Sequence, residues 1–284
     1  MSSKLKRGSM NLLKLGLLAG GMVISLNQTV IAQAAVATEE KTAVSLYNEG
    51  LDALKAKNYA LGLSNMEMAI EKAKVDKNDK VVSLAMKNGG IAAYNLGNEY
   101  LKQDLVDSAK MTFDRGMLLN DKYGSLYLGQ GRVLEAKESI AQAMEQYLMY
   151  AKISKEENDV KRMEDGYNRG KNMLIRQFND KKYETVVSIG TSYLAANNIP
   201  DVLYLVGKSS AELGKQEVAV DHYLKSIEGF SAAGGKVDDK VYYALGEAYE
   251  ALSNAPKAIE FYGKITDAKY LTNAKYKIEK LSSN

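Results

Sequence analysis

Residues 93–117, AYNLGNEYLKQDLVDSAKMTFDRGM, read as two short amphipathic helices joined by a tight polar turn. In the first, Tyr94, Gly97, Tyr100 and Leu101 recur at three- and four-residue steps, the spacing that gathers side chains on one helix face. In the second, Ala109, Phe113, Gly116 and Met117 do the same. Gly97 and Ala109 are small enough to let the two backbones approach closely, and Phe113 fills the space above them.

The same order of aromatic, small and large residues returns along the chain. At residues 43–74, Gly50 stands for Gly97, Gly62 for Ala109, Met66 for Phe113 and Ala69 for Gly116. In the third unit, near 122–153, Gly131 follows Gly97 by 34 residues, with Tyr127, Leu134, Ala143 and Tyr147 in the matching slots. Further units are expected near 160–196 (Gly170), 200–230 (Gly207, Ala219, Tyr223) and 238–266 (Gly246, Ala258, Tyr262). Pro200 and Pro256 fall at helix starts, where a missing N–H costs nothing. A last amphipathic helix, 267–282, carries Tyr270, Ala274, Ile278 and Leu281 on one side and charge on the other.

This pattern resembles the tetratricopeptide (TPR) repeat, whose period is 34 residues. The resemblance spans residues 43–281 and implies an all-α fold, a TPR-type α-α superhelical solenoid of about six helix pairs with a C-terminal capping helix. The spacing departs from 34 in places. Gly97 follows Gly50 by 47 residues, with Val81–Gly90 lengthening the first helix of the second unit and Asp79 as its expected cap. In the fourth unit the first helix runs about one turn long before Asn179-Asp180. Long helices and an irregular pitch are therefore expected.

The N-terminus reads as an export signal. Residues 1–7 are basic, Leu15–Leu26 is an apolar run, and Ala32-Gln33-Ala34 supplies the small residues a signal peptidase reads. The run is short of the roughly 20 residues that span a bilayer. Cleavage after Ala34, a linker at 35–42 and a periplasmic or secreted chain without stable membrane insertion are the expectation. The absence of Cys rules out lipoprotein acylation and a disulfide framework.

Composition excludes other classes. The first 34 residues hold four of the 38 basic groups and none of the 35 acidic ones, leaving 34 against 35. A near-neutral repeat region offers no electrostatic footprint for nucleic acid. The single histidine, His222, has no companion with metal-ligand spacing. The acid pairs Glu156-Glu157 and Asp238-Asp239 lie in charged turns, and the glycines sit inside helical periods rather than in a phosphate loop. No catalytic residue, metal site or cofactor is expected. Phe113, Tyr147, Tyr223 and Tyr262 fall at core spacing.

A tyrosine stands three residues before the repeat glycine in five units: Tyr47, Tyr94, Tyr167, Tyr204 and Tyr243, with Leu128 in the third. The resemblance implies that this position faces the concave groove, along with the residue after the glycine and those a turn further on: Leu51, Asn98, Lys102, Lys171, Lys208 and Glu247. The competing reading makes these tyrosines packing residues. The clamp with which some TPR domains hold a C-terminal carboxylate is not expected, since Tyr47, Leu51, Ser125 and Gly129 occupy its positions and only Asn95 fits. The expected function is a non-enzymatic protein-interaction scaffold binding a peptide or helix of an envelope partner. The alternative is a carbohydrate- or small-ligand-handling module of the envelope, and a hydrolase on a helical-repeat frame ranks third.

Overall fold

A computed structural model describes residues 41–283. The expected signal segment, and the linker up to residue 40, lie outside them. Thirteen helices occupy the described residues, with no strand among them: α1 (Ala43–Lys55), α2 (Tyr59–Val75), α3 (Asp79–Lys102), α4 (Val106–Leu119), α5 (Gly124–Ala136), α6 (Ile140–Glu156), α7 (Val160–Asn179), α8 (Tyr183–Ala196), α9 (Pro200–Glu212), α10 (Gln216–Ala232), α11 (Asp239–Ala251), α12 (Ala255–Tyr262) and α13 (Ala268–Ser282). They pack in sequence as six antiparallel pairs plus a final helix.

Local chemistry sets the helix ends. Thr42, Asn58, Asn78, Asp159 and Asn254 each accept a hydrogen bond from the backbone N–H three residues on, and such a cap is worth about 1 kcal/mol. Asn78, not Asp79, caps α3; Asp79 is its first helical residue. Inside every pair the chain turns through a residue with positive φ: Lys57, Asp104, Glu138, Lys181, Gly214 and Ser253. The next N–H reaches back five residues to a carbonyl, as in Asn58 to Ala53 (2.8 Å) and Lys215 to Ser210 (2.9 Å). This is the Schellman closure, which satisfies carbonyls the helix end leaves open.

These turns fix the register of the core. Seven residues before each lie Gly50, Gly97, Gly131, Leu174, Gly207 and Gly246. Sixteen residues after each of those lie Met66, Phe113, Tyr147, Gly190, Tyr223 and Tyr262. A Cβ on Gly131 or Gly246 would stand 2.5 Å from the ring of Tyr147 or Tyr262. Phe113 is enclosed on two sides, by Gly97 of its own pair and by Gly129 of the next.

In the fourth pair the sizes are exchanged. Leu174 occupies the small position of α7 and Gly190 the large position of α8, so one large and one small residue still meet. Gly170, the small residue expected from the sequence, lies one turn earlier, against Met144 and Tyr193. The fold is thus an all-α solenoid of tetratricopeptide-type helix pairs closed by a C-terminal helix.

First helices touch one another in succession, α1 to α3 to α5 and α7 to α9 to α11 to α13. Among second helices the backbones come as close at one junction, where α6 packs on α8 and the spacing between α5 and α7 is wider. Side chains still bridge α2 to α4, through Arg115 and Glu67 (2.6 Å), and α5 to α7, through Glu135 and Arg176. The row with the closer spacing forms the inner face of the bend. The bend is consequently not uniform.

Candidate functional site

The inner row holds the tyrosines singled out in the sequence, all half-buried. Four lean on an aromatic ring of the second helix. Tyr94 lies 6.3 Å from Phe113, Tyr167 6.1 Å from Tyr193, Tyr204 5.9 Å from Tyr223 and Tyr243 5.6 Å from Tyr262. Each such pair is worth about 0.5–1.5 kcal/mol beyond area burial. These tyrosines therefore belong to the core and to the inner surface at once. Tyr47 differs, since Met66 stands where its ring partner would be; its hydroxyl accepts from Asn88 Nδ2 (3.1 Å). Burial first, then the neighbouring Tyr270, Asp238 and Glu247, push the Tyr204 hydroxyl up to about 12.

The polar residues beside them join neighbouring repeats. Asn98 donates to the Tyr94 carbonyl (2.8 Å) and accepts from Arg132 of the next first helix (2.6 Å). Lys208 lies 3.5 Å from Glu247 and 3.7 Å from Glu212. Glu135 accepts from Tyr147 (2.6 Å) and pairs with Arg176 of α7. Glu250 repeats that arrangement with Tyr262 (3.1 Å) and Lys277 of α13 (2.8 Å). Lys171 is half-buried, and Lys102 stands exposed on the last turn of α3. Sequence reasoning missed Arg132, although its place directly after Gly131 was a sufficient signal.

The three added turns of α3 create a feature that the repeat pattern does not contain. Counting back from Asn98 and Tyr94 in helical steps brings Ile91, Lys87 and Ser83 onto the same face. There they wall an open cleft of about 720 Å³. Its apolar floor is Val82, Met86, Ile91, Leu119 and Tyr123, and its rim holds Asp79, Lys87, Lys122, Glu157 and Arg162. Tyr123 meets Tyr94 edge to face at 5.9 Å, so the cleft is continuous with the tyrosine row. Arg162 is held by Glu157 (2.8 Å) and Asp159 (2.6 Å). Among the described residues, Lys87 and Lys122 form no ion pair.

The other candidate groups have structural roles. His222 is half-buried, its Nδ1 2.9 Å from the Val218 carbonyl. Asp238 caps α11, and Asp239 accepts from the Thr266 and Asp267 backbone N–H groups, both at 2.5 Å. Burial alone would raise the Asp239 carboxyl; these hydrogen bonds outweigh it and hold the group below its ordinary value. Among the described residues, no three His, Cys, Asp or Glu side chains gather as a metal site, and no helix is long and apolar enough to cross a membrane.

No family model and no curated protein matches this chain. Solved structures of helical-repeat proteins do. YrrB, described as a TPR protein with an unusual peptide-binding site, is 17% identical with a TM-score of 0.36, over 62% of this chain and 84% of its own. The TPR domain of P58(IPK) is 15% identical with a TM-score of 0.38, over 85% of this chain and 64% of its own. The TPR2AB domain of yeast Sti1, in complex with pHSP90, is 13% identical with a TM-score of 0.36, over 84% and 98%. What carries the assignment of the fold is the internal register of turns, glycines and rings.

Proposed function

We propose that the protein is a non-enzymatic interaction scaffold that holds a polypeptide segment of an envelope partner along its inner face, anchored in the α3 cleft. The observation that carries this is the continuity of an apolar-floored cleft with a row of half-buried tyrosines. Tyrosine offers contact area and one hydroxyl at low entropic cost, and a prebuilt solenoid lowers the ordering cost on the protein side. The signal-like N-terminus supports an exported, periplasmic or secreted setting. The cleft volume also lies in the range of small-molecule sites, which favours the sugar or small-ligand reading. Against it, the cleft is open and its floor is apolar, a better match to a side chain of a longer segment.

The test replaces Met86 by Asp and Tyr94 by Ala, with the Tyr204→Ala/Tyr243→Ala pair alongside, and measures thermal unfolding and recovery of envelope partners. Met86→Asp is expected to stay folded and to lose at least tenfold in partner recovery, equivalent to about 1.4 kcal/mol. A folded Met86→Asp protein that keeps every partner contradicts the proposal.

A further inference from the structure

We infer that the recess between the α5–α6 and α7–α8 turns is a second binding site, which takes an organic cation: an ammonium or guanidinium group on an apolar stem. The inference does not rest on the reading of the α3 cleft. The observation that carries it is Gln177. This residue is only 6% exposed, yet its Oε1, closed off from solvent, has no hydrogen-bond partner among the described residues. Buried polar groups are ordinarily paired, and one left unpaired costs stability.

The repeat does not call for an amide here. Gln177 lies four residues before Lys181, the positive-φ residue of the fourth turn, and the same place in the other pairs holds Ala53, Tyr100, Leu134, Ser210 and Tyr249. Ser210 settles its own hydroxyl by donating to the Val206 carbonyl (2.9 Å). Gln177 instead lines an open recess of about 630 Å³ at the junction where α5 and α7 are more widely spaced.

The rest of the lining selects the charge of the ligand. Glu135 is taken up by Arg176 and the Tyr147 hydroxyl. Glu138, Asp180 and Glu184 remain, against Lys182 on the lining and Lys181 just outside it. Ile140, Met173 and Ile189 supply an apolar wall. A basic side chain or alkylamine lays its stem on such a wall and offers only donors at its head. The terminal torsion of glutamine is broad, so the carboxamide turns its Oε1 toward a donor while the carboxylates take up the charge.

The test titrates Nα-acetyl-arginine amide, its neutral isostere Nα-acetyl-citrulline amide, and agmatine into the protein carrying ¹³C-methyl methionine. Met173 lines the recess, Met86 lines the α3 cleft and Met111 is exposed on α4. The arginine probe is expected to shift Met173 and neither of the others, and to bind at least fivefold more tightly than the citrulline probe. Tighter binding of agmatine assigns the site to free amines and the reverse order to a basic side chain; both support the inference. Gln177→Leu should weaken the arginine probe at least fivefold while its thermal midpoint holds or rises, since no unpaired amide is then buried. Glu184→Gln, at an exposed position, should weaken the arginine probe and leave the citrulline probe unaffected. Equal binding of arginine and citrulline probes, no shift of Met173, or undiminished arginine binding in Gln177→Leu overturns the inference.

Discussion

Phe113 shows how much a single residue decides. Its ring fills the space where side chains of Gly97 and Gly129 would stand, so two repeats close on one aromatic group. Gly97→Ala is expected to lower stability by about 1–3 kcal/mol, the usual cost of forcing volume into a packed core. Gly89→Ala should cost less, because the atom it meets is the far end of the Leu119 side chain, 2.7 Å away. Equal losses by chemical denaturation would contradict this difference. The Gly97–Phe113 pairing was legible in the sequence because small and large residues recur at fixed offsets. The exchange at Leu174 and Gly190 was not, since packing requires only that one large and one small residue meet and is indifferent to which helix supplies which.

Helices and their turns carry the next level. Five of the six turn residues with positive φ inside the pairs are not glycine, and left-handed backbone costs such residues about 1–2 kcal/mol. Lys181→Gly, at φ 59°, should therefore raise the thermal midpoint, and a fall would contradict the assigned register.

The closing helix depends on charge. Burial would raise the Glu250 carboxyl, but Lys277 and the Tyr262 hydroxyl outweigh it and hold the group below its ordinary value of 4.5. A carboxyl depressed on folding contributes stability that is fully present above its unfolded value and is lost as pH falls through the folded one. Amide exchange in α13 should accelerate below about pH 4.5, and Glu250→Gln should remove that dependence; an unchanged acid profile in the variant would contradict it. Such pairings join residues far apart in sequence, and local periodicity carries no sign of them. The added length of α3 was visible in the wide spacing of Gly50 and Gly97, but the cleft also needs Leu119, Lys122, Tyr123 and Arg162 from three other segments.

Across the whole array of described residues, the fold class follows from repetition, and repetition is what a single sequence displays best. The wider spacing of the inner row between α5 and α7 coincides with the longer α7 and the exchanged sizes in the fourth pair, which break the repeat locally. The inner face is half core and half surface, so the same tyrosines satisfy packing and remain available to a partner. The central claim, that this face and its α3 cleft hold a polypeptide segment, is tested most directly by site-specific photo-crosslinking. A benzophenone amino acid is placed at Lys87 in the cleft and, for comparison, at Met111 and Leu118 on α4, which are 68% and 82% exposed. Irradiated in envelope extract, the Lys87 probe is expected to give one discrete polypeptide adduct that Met86→Asp abolishes, with none at Met111 or Leu118. Adducts only at the α4 positions, or a Lys87 adduct indifferent to Met86→Asp, would contradict the account.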